Sequence, residues 1–149
     1  MHKTAVLLVA AGLAALGVTA WASSAQTGPA LIRITSTQKK YMFVNVGRGT
    51  AGDMEIIRQR LFNKKITKRS IGRSELVCTF TFRRQRSCRA TYFLPEGKIV
   101  IGGSITNRDI YDLAILGGTG LYNNARGTLT AIRIAKRPRR EFLIFRLAG

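Results

Sequence analysis

The glycines Gly117, Gly118 and Gly120 are the residues whose spacing most directly suggests chemistry, in the segment ILGGTGLYNNARGTLT. Glycine-rich turns can cradle a phosphate, but a P-loop also needs a lysine, and none follows these glycines. A dinucleotide-binding turn needs a third glycine where Asn123 stands, and then a helix, whereas GTLTAIRI alternates like a strand. We therefore expect a tight turn between two strands, in which glycine permits positive φ or close backbone approach.

Two cysteines, Cys78 and Cys88, stand in alternating apolar runs that the short segment RRQRS separates. In a hairpin centred near Arg83, the two side chains would lie opposite each other on the same face. An oxidising compartment would favour a disulfide worth about 2–3 kcal/mol, with two free thiols as the alternative. A metal site is not expected, because the one histidine is His2, at the extreme N-terminus.

The same shortage of histidine restricts the enzyme classes that the chain could belong to. Beyond His2 no Ser-His-Asp or Cys-His arrangement can be assembled. General acid–base chemistry would depend on seven carboxylates, four tyrosines or a lysine. This set suits a reaction that mainly needs positioning, so any activity is expected to use no metal and no nucleotide cofactor.

The N-terminus has the pattern of a secretory signal peptide. Lys3 supplies a positive charge, residues 5–20 are small and apolar, and cleavage sites end at Ala22 or Ala25. An uncleaved membrane anchor is the alternative, although a spanning helix needs about 20 apolar residues. We expect a signal peptide at 1–25, one domain at 26–149, and a location in the periplasm or outside the cell.

The chain is strongly basic, with 25 Lys and Arg against 7 Asp and Glu, and removal of Lys3 with the leader would leave +17. The basic residues cluster at 63–69, 83–86 and 136–140, which we expect to be loop tips. These tips either dock the protein on an anionic polymer or membrane surface, or simply keep the turns solvated. No motif for sequence-specific nucleic-acid binding is present, so that partner is not expected.

Apolar and polar residues alternate with period two along most of the chain. Residues 52–65 also have helical spacing, but their neighbours read as strands, and we expect a strand there as well. Several runs, such as KIVI and FLIF, are apolar on both faces, which favours a closed barrel with a covered outer face. The nine expected strand segments are 31–35, 41–46, 53–62, 75–82, 89–94, 98–105, 112–116, 127–134 and 141–147.

The segment DLAILGGTGLYNNARGTLT resembles the strand-glycine-strand signature of the allene oxide cyclase and dirigent-like barrels, especially their bacterial secreted relatives. The segments AGDMEI, SIGRSELVCTF, YFLPEGKIVIGG and FLIFRL resemble further strands in the family's order, over about residues 50 to 147. The resemblance implies an all-β, closed, antiparallel eight-stranded barrel with an apolar cavity, often assembled as a homodimer or homotrimer.

Plant members of this family cyclise an epoxide fatty acid or steer the coupling of phenoxy radicals. The resemblance therefore implies a barrel that binds a small apolar, phenolic or lipid ligand, or a reactive intermediate, and guides its cyclisation or coupling. An isomerase or cyclase of this type is one hypothesis. The alternative is a noncatalytic ligand-binding or surface protein that docks on anionic envelope polymers through its basic loops.

The resemblance also assigns candidate catalytic residues. Asp53 matches the aspartate at the start of a family strand, where a structural turn aspartate is the alternative. Asp112 would be a proton donor if it lined the barrel and a plain surface acid otherwise. Cys78 matches a cavity cysteine, whose thiol a disulfide to Cys88 would remove.

Three further residues are candidates for the cavity or for ligand binding. Tyr92 and Tyr122 would line the cavity or simply pack. Arg126 matches a position that is often small or basic before a strand, where a structural contact is the alternative.

Overall fold

A computed structural model describes residues 30–46, 51–63, 68–82 and 85–148. The expected signal peptide therefore lies outside the described residues. Eight strands follow one another around a closed antiparallel barrel, and β1 pairs with both β2 and β8. They are β1 Leu31–Val44, β2 Met54–Phe62, β3 Gly72–Phe82, β4 Gln85–Leu94, β5 Gly97–Ile105, β6 Ile110–Gly118, β7 Arg126–Lys136 and β8 Arg139–Ala148.

The closed eight-stranded barrel confirms the expected fold, with one difference in the strand count. The segments 31–35 and 41–46 belong to one strand of 14 residues, so nine expected segments give eight strands. The pairing of β1 with β2 shifts between Gln38 and Lys40, where a bulge accommodates an additional residue without ending the strand. The competing helix over 52–65 is absent from the described part of that segment, most of which is β2.

Alternation along each strand places every second side chain inside the barrel. In β2, for example, Glu55, Ile57, Gln59 and Leu61 are buried, whereas Arg58 and Arg60 are exposed. The inward positions of β8 follow the same rule, from Glu141 through Leu143 and Phe145 to Leu147. A two-residue period of this kind fixes which side chains face the interior.

The barrel has two ends, which we name after the connections they carry. The β1–β2 end carries the β1–β2, β3–β4, β5–β6 and β7–β8 connections, and the β2–β3 end carries the other three. At the β2–β3 end, the β6–β7 connection packs Tyr122 and Ala125 into the apolar core. Most of the buried aliphatic side chains lie between this connection and the middle of the barrel.

The expected glycine turn is confirmed as part of the β architecture. The connection after β6 forms a 3-10 turn at Gly120–Tyr122 and then enters β7. Gly120 has a φ of +64°, which favours glycine. Gly118 is needed for another reason, because a Cβ there would stand 2.3 Å from the Tyr122 carbonyl oxygen and 2.6 Å from that of Lys98.

Among the described residues, no further layer covers the outer face of the barrel, and cover by a terminal segment or another subunit stays a prediction. Side chains such as Val77, Leu116 and Ile134 point outwards and are exposed. Within the described ranges, no helix has the length and apolar character needed to cross a membrane.

Candidate functional site

Buried charged groups meet inside the β1–β2 end of the barrel. The Glu55 carboxylate, on β2, accepts a hydrogen bond from Arg86 Nη1 on β4 at 2.6 Å. Its other oxygen accepts one from Arg108 Nη2, in the β5–β6 connection, at 2.7 Å. Glu55 and Arg86 are almost fully buried, whereas the Arg108 side chain is 49% exposed. Two guanidinium groups therefore share one carboxylate, and one of them reaches solvent.

Aromatic side chains surround this ion pair at the rim of the barrel. The Tyr41 hydroxyl donates a hydrogen bond to Glu55 Oε1 at 3.3 Å. Burial and the nearby Glu55 charge raise the pKa of Tyr41, so its hydroxyl keeps its proton at neutral pH. Phe43 packs edge-on against Phe80, with ring centroids 5.9 Å apart. Tyr41 and Phe43 are exposed, so this rim offers solvent an aromatic surface beside a carboxylate.

Arg86 is the most buried charge of this group and lacks a complete set of partners. Its Nε has no hydrogen-bond partner among the described residues. Burial lowers the pKa of Arg86, although the Glu55 carboxylate opposes the shift. A buried guanidinium of this kind depends on its carboxylate, because an unpaired charge away from water is costly.

A second polar group lies deeper, around Glu141 on β8. Glu141 Oε2 accepts a hydrogen bond from Gln59 Nε2 at 2.8 Å, and Gln59 Oε1 accepts one from Ser74 Oγ at 2.9 Å. The other carboxylate oxygen accepts hydrogen bonds from the Tyr111 hydroxyl at 3.1 Å and from Arg139. Five side chains from four strands (β2, β3, β6 and β8) thus form one network.

The electrostatics of this network keep Tyr111 protonated. Burial, and then the Glu141 charge, raise the pKa of Tyr111 well above its ordinary value. Burial lowers the pKa of Arg139, but Glu141 outweighs this effect, and the net shift is upwards. The network is therefore an arginine–carboxylate pair to which a neutral phenol donates a hydrogen bond.

The two cysteines form the expected disulfide, which lies inside the barrel. Cys78 and Cys88 are directly opposite each other on β3 and β4 and are bonded through their sulfur atoms. Both face inwards and are buried, and Cys78 is paired in register with Glu55. The resemblance implied a cavity cysteine at Cys78, and the disulfide removes its free thiol.

The two expected catalytic aspartates differ in their surroundings. Asp53 is fully buried, and its Oδ1 accepts a hydrogen bond from the Val46 backbone N–H at 2.7 Å, as a turn aspartate does. Asp112 is exposed on the outer face, where it accepts a hydrogen bond from Thr130 Oγ1. It does not line the barrel, because its neighbours Tyr111 and Leu113 take the inward positions.

The three expected ligand-binding residues are also dispersed. Tyr92 faces inwards and packs edge-on against Phe145, with ring centroids 5.0 Å apart, deep in the apolar part of the barrel. Tyr122 is buried at the β2–β3 end. Arg126 is exposed and donates hydrogen bonds to the backbone oxygens of Leu116 and Ala125, which is a structural contact.

The charged groups of the interior were not predicted from the sequence. Arg86 and Arg139 belong to segments that we expected to be basic loop tips, but both side chains turn inwards and pair with buried carboxylates. The signal was present in the alternation, since Glu55 and Glu141 each occupy the same face of a strand as a series of apolar residues. Within the described ranges, no group of three or more His, Cys, Asp and Glu side chains could hold a metal ion.

Comparison with known proteins places the fold. The chain matches no family model and no curated protein. Among solved structures, a pyocyanin demethylase is 23% identical over 79% of this chain and 99% of its own, with a TM-score of 0.68. A pterocarpan synthase dirigent protein is 15% identical over 77% and 84% of the two chains, with a TM-score of 0.62.

A third similar structure is the Diels-Alderase AbmU from Streptomyces koyangensis, 19% identical, with a TM-score of 0.61. The match covers 79% of this chain and 64% of the Diels-Alderase. The chain has the allene oxide cyclase and dirigent-like barrel fold. In this dirigent-like barrel, the charged group around Glu55 is polar and reaches solvent at the rim through Arg108 and Tyr41.

Proposed function

We propose that this dirigent-like barrel binds a small, largely apolar molecule of phenolic or lipid character at its β1–β2 end and guides its cyclisation or coupling. One observation carries the proposal. A carboxylate shared by two arginines lies directly below an exposed aromatic rim, in a fold that dirigent proteins and a Diels-Alderase also have. Orientation of a reactive molecule can by itself supply several kcal/mol of rate or selectivity.

Each residue at this end has a separate role in the proposal. Phe43 and Phe80 contact the apolar body of the ligand. The half-exposed Arg108 holds a carboxylate or phenolate oxygen of the ligand, since a guanidinium binds such oxyanions well. Tyr41 and Glu55 are the proton donor and acceptor nearest to the bound molecule. Asp112 takes no part, because its carboxylate faces outwards.

The protein acts outside the cytoplasm in this proposal. The buried disulfide fits an oxidising environment, and the expected signal peptide would deliver the chain there. The homodimer or homotrimer that the resemblance implies remains a prediction.

Native mass spectrometry of the protein purified from its source, combined with thermal shift assays, tests the proposal. We expect a co-purifying small molecule, and a melting temperature that rises with oleate or with a phenolic acid but not with ATP. Arg108→Gln and Tyr41→Phe should reduce the shift, whereas Asp112→Asn, matched as an exposed polar replacement, should leave it unchanged. If only Asp112→Asn removes the shift, the site is wrongly placed. If the bound molecule is recovered unchanged after long incubation, the barrel is a binding protein and not a cyclase.

A further inference from the structure

Cations form a row across the outer face of four neighbouring strands. Arg60 on β2 is paired in register with Arg73 on β3, Arg73 with Phe93 on β4, and Phe93 with Lys98 on β5. We call Arg60, Arg73, Phe93 and Lys98 the cationic row. Neighbouring strands are about 4.8 Å apart, so the row brings three positive charges close together.

Within the described residues, no acidic side chain pairs with the cations of this row. Like charges directly opposite each other on a sheet are destabilising, and Arg60 faces Arg73. Within the described part of the chain, neither these two arginines nor Lys98 forms an ion pair. By contrast Arg58, two residues before Arg60 on the same face of β2, pairs with Glu75. Three of the seven carboxylates, Asp53, Glu55 and Glu141, are buried in the barrel and cannot compensate.

Phe93 holds two of the cations in place. The Arg73 guanidinium carbon lies 4.4 Å from the centre of the Phe93 ring, and the Lys98 ammonium nitrogen lies 5.4 Å from it. Cation–π contacts of this kind restrict long side chains that would otherwise move freely. Arg60, Arg73 and Phe93 also line an open groove of about 510 Å³ together with residues 70–72 and 94–95.

We infer that the cationic row binds a linear acidic polysaccharide that carries one carboxylate per sugar. Three cations in a line, two of them held on Phe93 and none with an acidic partner among the described residues, fit a chain of anions better than a single small anion. The cations lie on β2, β3 and β5, so the row extends over three strand spacings, about 14 Å, which a linear polyanion can span and a single small anion cannot. Stacked bases have no vacant ring on this row, because Arg73 and Lys98 already contact Phe93, so a nucleic acid fits less well. This surface lies at the opposite end of the barrel from the proposed ligand site, and its function is independent of that site.

The test compares two variants that lose the same charge. In one, Arg60, Arg73 and Lys98 are replaced by Gln; in the other, the exposed Lys40, Lys136 and Arg137 are replaced by Gln. Binding of the purified protein to polygalacturonate is measured over a range of salt concentrations, and melting temperatures confirm folding. The row variant should bind at least about tenfold more weakly, with a salt dependence reduced by about two to three charges. The second variant should keep both values close to those of the parent.

Phe93→Leu provides a test that changes no charge. Loss of the ring should weaken binding about two- to fivefold, because Arg73 and Lys98 are no longer held in place. Equal losses in the two triple variants would mean a diffuse charge effect and would overturn the inference. A loss confined to the Lys40, Lys136 and Arg137 variant would assign binding to the basic loop tips instead. Duplex DNA bound as tightly as polygalacturonate at the same salt would show that the partner class is wrong.

Discussion

The two halves of the barrel interior are built on the same alternation but from different chemistry. At the β2–β3 end the inward positions are aliphatic or aromatic, and they form one continuous apolar cluster. At the β1–β2 end the same positions hold Glu55, Gln59, Arg86 and Glu141, which satisfy one another by hydrogen bonds across strands. The polar half adds buried charges that an apolar core would not need, which is typical of a functional site.

The largest expected loss of stability in the polar half comes from breaking the buried ion pair between Arg86 and Glu55. Among the described residues, Arg86→Met leaves the half-exposed Arg108 as the charged partner of Glu55. We expect a loss of about 3–5 kcal/mol in the free energy of unfolding, because a buried charge loses its closest partner. Urea denaturation measures this change.

A matched control lies on the same strand. Arg89 is exposed, and Arg89→Met should change stability by about 0.5 kcal/mol or less. Adding Glu55→Leu to Arg86→Met should restore much of the loss, because the orphaned carboxylate is removed. If the double variant is as unstable as the single one, Arg86 stabilises by packing and not by pairing.

The disulfide joins β3 and β4 in the same layer as Glu55, and its removal is the next largest effect. Replacing both Cys78 and Cys88 by Ala should lower stability by about 2–3 kcal/mol, mainly by relaxing the unfolded chain. Intact-mass measurement should find no alkylation of the native protein and two labels after reduction and unfolding. Two labels without reductant would contradict the bond and make Cys78 available as a functional thiol.

How far the sequence predicts this molecule differs between the two halves. The apolar half was predictable, since runs such as KIVIGG and FLIFRL alternate with short turns, and the symmetric spacing of Cys78 and Cys88 about Arg83 placed them in one hairpin. The bulge near Lys39 was not predictable, because a register shift depends on the partner strand as much as on the residues that shift.

The polar half was largely missed for a physical reason. A charged residue beside other charged residues is normally predicted to face solvent. Arg86 and Arg139 belong to the basic segments RRQR and KRPRR. Whether such a side chain turns inwards depends on a carboxylate that is distant in sequence: Glu55 is 31 positions from Arg86 and 53 from Arg108. Neither pairing can be predicted until the barrel topology is known, because the topology brings these distant residues together. For Asp112 the sequence left open a barrel-lining acid and a surface acid, because a single acid beside a motif does not reveal which face of the strand it occupies.

In the apolar half, substitutions at two adjacent glycines, Gly117 and Gly118, should have a smaller effect on stability. A Cβ at Gly118 would meet two backbone oxygens within 2.6 Å, whereas one at Gly117 would meet only Arg126 Nη1, at 3.5 Å. Gly118→Ala should therefore cost about 1–3 kcal/mol, because the backbone must move. Gly117→Ala should stay within about 0.5 kcal/mol of the parent. Equal effects on the urea midpoint would mean that the close approach at Gly118 does not constrain the turn, and any thermal shift with ATP would reopen the phosphate-binding interpretation.

The smallest expected effect is a loss of stability at alkaline pH, which does not occur at neutral pH. The pKa values of Tyr92 and Tyr111 are raised in the folded barrel, chiefly by burial, above the value of about 10 in the unfolded chain. The folded state therefore holds these protons more tightly. The resulting stability is complete below pH 10 and is lost as the pH rises from there towards the folded pKa values.

Phenolate absorbance followed against pH, together with circular dichroism, measures this loss. Tyr92 and Tyr111 should ionise only as the barrel unfolds, whereas Tyr41, half exposed at the rim, should ionise in the native state. Tyr111→Phe should remove one of the phenolates that appear on unfolding and make the loss of stability above pH 10 less steep, although it also deletes the hydrogen bond to Glu141, worth about 1 kcal/mol at any pH. Ionisation of all four tyrosines in the native state would contradict this prediction. It would mean that water reaches the buried network around Glu141 as freely as it reaches the rim.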